Sequence, residues 1–270
     1  MSKNLLKINN QNINVFVNND PTWGGTYQYT ELIIESLKLK IKKNNLKIYY
    51  TKRIWKKDLN GKNIYLNLNF TQLILSHILV FFHAKYLAKI LAKLNILNLP
   101  KEFFEKDQIW VFPSQDIISI LCGGKSVVSI NDLMHRYSNF PETSSFFRKI
   151  YRDYLFKKIA KHSYRILVDS KLGKKHVQEC YGANKNIRIQ YFSSLIKTKR
   201  KKKFSLHKYI IYPAQFWEHK NHKNLILAIN ILKKKFNDIE LVLIGHKKKE
   251  YNNMINLVNK LNLNKNIKFL

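Results

Sequence analysis

The sequence predicts an α/β fold made of two Rossmann-like, doubly wound domains, of which the second is incomplete. Short runs rich in β-branched and aromatic residues alternate along the chain with longer runs of helical periodicity. A basic tract at 197–203 interrupts this alternation, which then starts again. With 270 residues, 45% of them hydrophobic, the chain is long enough to bury the core of one large domain or two modest ones.

Residues 1–195 hold the longer series of predicted elements. We predict strands at 13–17, 46–50, 64–68, 109–112, 126–130, 165–168 and 187–191. Helical periodicity predicts helices at 27–40, 71–94, 145–162 and 171–180, the last of which ends at Gly182. Strands that alternate with helices form parallel sheets, so residues 1–195 are expected to form one doubly wound domain.

A second series of elements follows the basic tract. The tract has no apolar face to bury, so we predict an interdomain linker at 196–208. Strands are predicted at 209–212, 240–244 and 267–270, and helices at 221–236 and 249–261. Residues 209–270 are too few for a typical domain of roughly 100 to 150 residues, so we expect this domain to be truncated.

Several residue patterns limit the compartment and the cofactors. The two cysteines, Cys122 and Cys180, form no Cys-x-x-Cys pair, and no zinc-site spacing or Asp-x-Asp pair occurs. No metal or other cofactor is therefore expected. Residues 1–12 do not resemble a signal or transit peptide, and the longest apolar stretch, 73–84, is shorter than the roughly 20 residues that span a bilayer. We expect a cytoplasmic protein.

The formal net charge of +32, taken alone, indicates an anionic partner such as nucleic acid or an acidic membrane face. The alternative is a lysine-rich composition that follows from an AT-rich genome. Arginine accounts for only seven of the 49 basic residues, and the lysines are spread over every segment. Nucleic-acid readers concentrate arginine and contain a recognisable module, so nucleic acid is the less favoured partner. Peripheral contact with anionic lipid at the inner face of the cell membrane fits the composition better.

The predicted helix at 71–94 bears on that membrane contact. Its apolar body carries Lys85, Lys89 and Lys93 at four-residue spacing, which places them on one face. A basic amphipathic helix of this kind can lie in an anionic membrane interface. The alternative is a helix that covers the sheet and has a solvated stripe.

Three loops at predicted strand ends carry candidate site residues. After the first strand, Gly24 and Gly25 permit close backbone approach to a phosphate at a helix N-terminus, although the same loop also fits an ordinary strand-to-helix turn. After the fifth strand, Asp132 and His135 suit an acid/base or orienting pair and Arg136 suits an anionic group. The alternative is a solvated loop whose aspartate caps a turn.

The third loop, at 212–225, is the most specific of the three. Lys220 is predicted at the start of a helix, where a cation is unfavourable against the helix dipole unless an anion binds there. A bound diphosphate would remove that conflict. The alternative is an exposed lysine in a lysine-rich chain.

Nearly the whole chain resembles the retaining glycosyltransferase family four, also called glycosyl transferases group 1, whose members have the GT-B fold of two Rossmann-like domains. The resemblance implies that 1–195 is the acceptor domain and that 209–270 is the start of the donor domain. Four motifs carry the resemblance, and the one at 213–225 is typical of a bacterial surface-polysaccharide branch. The motifs are Gly24-Gly25-Thr26-Tyr27, Asp132-Leu133-Met134-His135-Arg136 with Pro141-Glu142, Val168-Asp169-Ser170-Lys171 leading to Tyr181-Gly182, and 213–225.

The resemblance implies a site. Gly24 and Gly25 would lie beside the donor phosphates and Lys220 would bind the diphosphate. Gln215 stands where the family usually has a basic residue, which implies a different arrangement of the diphosphate contacts.

Asn131 stands where the family usually has a histidine, which makes His135 a substitute candidate. Asp132 and His135 are then the catalytic candidates, and Asn131, Arg136 and His219 are candidates for orienting the substrate. The family's paired-glutamate motif would lie beyond the last predicted strand, where this sequence has no residues.

The resemblance implies an enzyme of the hexosyltransferase type. It would transfer a sugar from a nucleotide-sugar donor to a saccharide or lipid-linked acceptor in cell-surface polysaccharide synthesis. Two alternatives stay open. One is an inactive remnant or a partner-dependent subunit, and the other is a basic membrane- or nucleic-acid-binding module.

Overall fold

The computed structural model describes residues 12–57, 62–137, 146–182, 186–193 and 209–270. Contacts divide the chain into two compact units, Met1–Tyr137 with Lys149–Lys197, and Ser138–Arg148 with Thr198–Leu270. The predicted linker at 196–208 and the Pro141-Glu142 pair lie outside the described residues. The predicted domain boundaries therefore stay a prediction.

The described part of the first unit forms a seven-stranded, entirely parallel sheet. Its order is β3-β2-β1-β4-β5-β6-β7. The strands are β1 Ile13–Val17, β2 Leu46–Tyr50, β3 Lys62–Tyr65, β4 Ile109–Phe112, β5 Lys125–Ser129, β6 Arg165–Val168 and β7 Ile187–Ile189. This is the order of a doubly wound fold, whose ligands bind at the carboxyl edge beside the point where the strand order reverses. Here that point lies between β1 and β4.

Six helices are described in this part of the chain. They are α1 Gly25–Lys40, α2 Phe70–Phe81, α3 Lys85–Lys93, α4 Met134–Tyr137, α5 Phe146–His162 and α6 Lys171–Tyr181. A capping box at Asn69 begins α2 and the Ser170 hydroxyl caps α6, while Gly182, with φ of 89°, ends α6 as the sequence predicts.

The sheet buries an apolar cluster on each face, because successive strand residues point to opposite sides. Phe16 lies in one cluster with Tyr49 and Trp110, whereas Val15 and Val17 lie in the other. The cluster on the Val15 side includes residues of α1, and the cluster on the Phe16 side includes residues of α2, α3, α5 and α6. A strand buried on both faces is largely apolar, as β1 is apart from the buried Asn14, whose amide donates to Gln108 at 3.0 Å.

The single helix predicted at 71–94 is wrong, because the chain breaks between α2 and α3. His83 has a φ of 54°, in the left-handed region that ends helices. The Lys158 ammonium of α5 donates to the carbonyl oxygens of Val80, at 2.9 Å, and Phe81, where α2 ends. The three lysines therefore all lie on α3. Lys85 is half-buried and donates to the Cys122 carbonyl at 2.9 Å.

Strand bounds agree with the sequence prediction to within two residues except at β3. The sequence predicts a strand at 64–68, whereas β3 spans Lys62–Tyr65. Beyond Tyr65, one hydrogen bond from the Leu66 amide to the Tyr50 carbonyl is made before the chain leaves the sheet. Among the described residues, no helix combines the length and the apolar character needed to cross a membrane.

The second unit contains a three-stranded parallel sheet of order β10-β9-β8. Its elements are β8 Tyr209–Pro213, α7 His222–Leu232, β9 Glu240–Ile244, α8 Tyr251–Lys260 and β10 Ile267–Phe269. Phe216 is completely buried in an apolar cluster with Ile226, Leu241 and Met254. Tyr209, Ile210 and Ile211 of β8 are exposed.

Candidate functional site

The glycine loop after β1 is held by a network of hydrogen bonds. The buried Asn19 amide donates to the Thr26 carbonyl at 3.1 Å and to the Thr30 hydroxyl at 2.6 Å. The Trp55 indole donates to the Asn19 carbonyl at 2.8 Å. The loop therefore enters α1 in one fixed conformation.

Within this loop the two glycines differ. Gly24 has a φ of 58°, which L side chains rarely adopt. A Cβ added to Gly25 would meet no atom within 4 Å. The backbone at the start of α1 is therefore open to close approach, as a phosphate at a helix N-terminus requires.

In the loop after β5, the hydrogen bond and the ion pair of Asp132 are made to residues other than His135, although the charge of Asp132 acts on His135. One carboxylate oxygen of Asp132 accepts from the Met134 amide at 3.1 Å and lies 3.7 Å from the Arg152 guanidinium. This is the turn-capping arrangement, which was the alternative interpretation of the sequence.

His135 is buried, with 3% of its surface exposed. Its Nε2 lies 3.7 Å from an Asp153 carboxylate oxygen and 3.4 Å from the Tyr181 hydroxyl, and its ring packs edge-on against Phe156. Burial, together with the nearby Arg152 charge, lowers the pKa of His135 below its ordinary value. These contacts favour a neutral imidazole that holds the loop in place.

Arg136 is exposed, but its guanidinium is paired with a carboxylate of the protein. Its guanidinium donates two hydrogen bonds of 2.6 Å to the Asp153 carboxylate, which also accepts from the Tyr181 hydroxyl at 2.9 Å. Burial raises the pKa of Asp153, but these hydrogen bonds outweigh it and hold the pKa below its usual range. The cluster joins α4, α5 and α6. Asn131 at the same strand end is half-buried.

Asp116 is a strand-end residue that the sequence analysis missed. It follows β4, beside the point where the strand order reverses, and burial raises the pKa of its carboxyl to about 6. Its carboxylate accepts from the Ile118 amide at 3.0 Å and is also hydrogen-bonded to Asn18. An acidic residue four positions after the end of β4 is the signal that could have identified it.

In the second unit, a cleft of about 610 Å³ lies where the loops after β8 and β9 meet the N-terminus of α7. His222 is 2% exposed and stacks on Phe216 with ring centroids 4.4 Å apart, and burial lowers its pKa. The lining residues are Trp217, Glu218, His219, Asn221, His222, Lys223, Asn224, Glu250 and Met254. His219 is therefore the one sequence-predicted residue in this lining.

Lys220 lies just before α7 and not within it. It ends a short 3₁₀ turn, and Asn221 follows in the left-handed conformation with a φ of 55°. The Asn221 side chain does not cap α7, so the first amide groups of that helix are not satisfied by the N-cap side chain. The Gln215 side chain accepts from the Trp217 indole at 2.8 Å.

Lysines surround the carboxyl edge of this sheet. The loops after β8 and β9 and the start of α7 contain Lys220, Lys223, Lys247, Lys248 and Lys249. The Lys248 ammonium lies 5.2 Å from the centre of the Trp217 ring. Together with the N-terminus of α7, these charges make the edge attractive to an anion.

Gly245 lets the two loops approach each other, a role that the sequence analysis did not identify. A Cβ on Gly245 would lie 2.1 Å from the Ala214 carbonyl oxygen, so any side chain would displace the loop that leads to Gln215.

Among the described residues, no group of three or more histidine, cysteine, aspartate or glutamate side chains is placed to hold a metal ion.

The similarities to known proteins agree with this architecture. Residues 196–270 match the model of the family described as Glycosyl transferases group 1. The chain is similar to Anabaena HepE in complex with UDP and glucose, with 11% identity and a TM-score of 0.62 over 96% of this chain and 69% of HepE. No curated protein matches the sequence.

Two further solved structures are similar. A variant of S. aureus TarM in complex with Fondaparinux, alpha-GlcNAc-glycerol and UDP has 16% identity and a TM-score of 0.51, over 67% of this chain and 35% of TarM. The lipopolysaccharide outer core galactosyltransferase WaaB, in its apo form, has 12% identity and a TM-score of 0.50, over 95% of this chain and 67% of WaaB. The chain thus spans about a third of the length of TarM and about two thirds of HepE and WaaB.

These likenesses and the two parallel sheets define the class of fold. The protein has the α/β, Rossmann-like architecture of the GT-B fold, which confirms the fold class predicted from the sequence. Its similarity to the group 1 glycosyl transferases lies in residues 196–270, most of which belong to the second unit.

Proposed function

We propose that this protein takes part in glycosyl transfer, moving a hexose from a nucleotide-sugar to a saccharide or lipid-linked saccharide in cell-surface polysaccharide synthesis. The observation that carries the proposal is the cleft at the carboxyl edge of β8 and β9. Lys223 lines the cleft together with Glu218 and Glu250, and four more lysines lie in the adjoining loops. These cations and the N-terminus of α7, which has no side-chain cap, suit a diphosphate. The match of this region to the group 1 family model supports the same ligand.

The chemistry of the leaving group explains why these residues would matter. In the reaction, the bond between the anomeric carbon and the diphosphate oxygen breaks, and negative charge develops on the departing nucleotide. Preorganised cations and amide dipoles stabilise such charge without reorganising. We propose that Lys220 and the first amides of α7 supply this stabilisation, with no metal required. Retention of anomeric configuration is proposed from the resemblance to family four.

The first unit contributes candidates of its own. The open backbone at Gly25 is proposed to approach a donor phosphate. Asp132, which is exposed at the end of β5, is the better candidate for orienting a sugar hydroxyl, whereas the buried His135 is proposed to position the loop that carries Asp132.

UDP is the first nucleotide to test, because the HepE and TarM structures contain it. The experiment compares UDP binding by the unaltered protein, Lys220→Gln and the matched control Lys234→Gln. Lys234 is an exposed lysine just beyond the C-terminal end of α7. Each variant replaces one lysine by glutamine, so the two have the same net charge.

The proposal predicts that Lys220→Gln weakens UDP binding by about tenfold or more, as the loss of a charge-assisted hydrogen bond implies. Lys234→Gln should bind like the unaltered protein. Equal loss in both variants would indicate general charge attraction, and equal retention would show that Lys220 does not contact the nucleotide.

A further inference from the structure

Ten large apolar side chains are exposed on consecutive elements of the first unit. They belong to α2, to α3 and to the turns that follow each helix, and we call them the α2–α3 surface. Its members are Phe70, Ile74, Ile78, Phe81, Phe82, Tyr86, Leu87, Ile90, Leu94 and Ile96. Phe70, Ile74 and Ile78 recur at four-residue intervals and form one stripe on α2.

This exposure is unusual for helices that already have a buried face. Leu79 and Val80 of α2 and Ala88 of α3 pack into the core, so the sheet-covering role is filled by other residues. Phe82 and Tyr86 are 72% and 78% exposed. Contiguous apolar surfaces of this kind mark sites where a protein or a membrane binds.

The helix α5 holds the surface in place and extends it. The rings of His77 and Tyr151 stack, and the ring of Phe81 lies 5.3 Å from that of Tyr154. Ile150 and Tyr151 are exposed beside these contacts. The surface is therefore part of the packed domain and does not depend on a free helix.

The charges on this surface have one sign. Residues 70–101 contain four lysines and neither aspartate nor glutamate. Lys89 and Lys93 are exposed on α3, next in sequence to Ile90 and Leu94. Apolar side chains flanked by cations, without acidic residues, match the interface of an anionic bilayer, where acyl chains lie beneath phosphate groups.

We infer that the α2–α3 surface docks the protein peripherally on a bilayer that contains anionic lipid. Its apolar side chains enter the boundary between headgroups and acyl chains, and Lys89 and Lys93 contact lipid phosphates. A second copy of the chain fits less well, because a two-fold interface would bring the same lysines of two molecules of net charge +32 together.

Vesicle sedimentation tests the charged part of this inference. Phosphatidylcholine vesicles with and without about one third phosphatidylglycerol are compared, with no nucleotide or acceptor present, so the result is independent of the proposed transferase function. We expect binding to the anionic vesicles. Because each lysine near an anionic surface contributes about 1 kcal/mol, Lys89→Gln with Lys93→Gln should weaken it about 30-fold. The control pair Lys234→Gln with Lys235→Gln removes the same charge from exposed positions of the second unit.

A second pair of variants tests the apolar part. Ile90→Ser with Leu94→Ser should reduce vesicle binding at least about tenfold, whereas Ile231→Ser with Phe236→Ser, which are exposed in the second unit, should not. Circular dichroism and thermal unfolding check that each variant is folded. The inference is overturned by equal losses in test and control pairs, by binding that ignores both test pairs, or by a concentration-dependent dimer that the α2–α3 variants abolish.

Discussion

Gly24 and Gly25 are neighbours in the chain, but a side chain would have different effects at the two positions. At Gly24 the backbone itself disfavours other residues, because its φ is 58°. At Gly25 nothing in the protein occupies the space of a Cβ. A substitution at Gly25 therefore separates ligand binding from folding, which few glycine positions allow.

We predict that Gly25→Ala leaves thermal stability within about 0.5 kcal/mol of the unaltered protein. If a donor phosphate approaches this backbone, the added methyl group should weaken binding of the nucleotide-sugar about tenfold or more. Calorimetric titration and thermal unfolding measure the two effects. Gly24→Ala serves as the strained comparison and should destabilise by about 1 to 2 kcal/mol. Unchanged affinity in Gly25→Ala would remove the loop from the donor site.

His83 and His162 predict how stability depends on pH. Their ring centroids lie 4.0 Å apart, near Lys85, Lys158 and Lys161. Burial and the neighbouring positive charges lower the pKa of His162 to about 4 and lower that of His83 as well.

Because these pKa values lie below the ordinary value of 6.5, the unfolded chain binds more protons than the folded protein when the pH falls below about 6.5. The pair should therefore lower the free energy of unfolding progressively as the pH falls toward 4. Urea denaturation measures the free energy of unfolding at pH 7.5, 6 and 5. Between pH 7.5 and 5 this free energy should fall less for His162→Asn than for the unaltered protein. Parallel losses would mean that the pair does not govern this range.

At the level of elements, the connection between α2 and α3 depends on a residue distant in the sequence. The Lys158 ammonium binds the last carbonyls of α2, where a cation also interacts favourably with the helix dipole. We predict that Lys158→Met lowers the free energy of unfolding by about 1 to 2 kcal/mol. Lys157→Met is the matched control, since Lys157 is exposed on the same helix, and it should change stability little. Urea denaturation measures both, and equal effects would contradict this interpretation.

The cluster around Asp153 distinguishes structural from substrate-facing residues near β5. We predict that Asp153→Asn destabilises by about 1 to 2 kcal/mol, because the hydrogen bonds that join α4, α5 and α6 lose their charge assistance. Asp132→Asn should affect stability less and, if Asp132 orients a sugar, should lower transfer. Thermal unfolding and a donor-turnover assay separate the two. A reversed pattern would move the substrate-facing role to Asp153.

The elements also show what could be predicted from the sequence. The bounds of β1, β4 and β6 agree with the prediction, because a buried parallel strand is mostly apolar and each of these runs has at most one polar residue. The break at His83 could not be predicted, because no glycine or proline marks it and Lys158, which contacts the end of α2, is distant in the sequence. The contact between His135 and Asp153 could not be predicted either, since Asp153 belongs to another helix.

For the molecule as a whole, composition and order of elements were sufficient for the fold class. Alternating strands and helices predicted parallel sheets, and both sheets are parallel throughout their described strands. Among the site candidates, Gly25 has an open backbone, Lys220 is exposed and His219 lines the cleft. In contrast, His135 is buried and the guanidinium of Arg136 is paired with Asp153. Sequence spacing shows which loop a residue belongs to, but burial and long-range partners depend on tertiary packing.

The most direct test of the proposed function compares nucleotide-sugars with nucleic acid as ligands of this highly basic protein. Binding of UDP- and GDP-sugars and of single-stranded DNA is measured across a salt series. We predict saturable binding of at least one nucleotide-sugar, sensitive to Lys220→Gln, that survives physiological salt. Tight DNA binding that falls steeply with salt, without affinity for any nucleotide-sugar, would contradict the proposal.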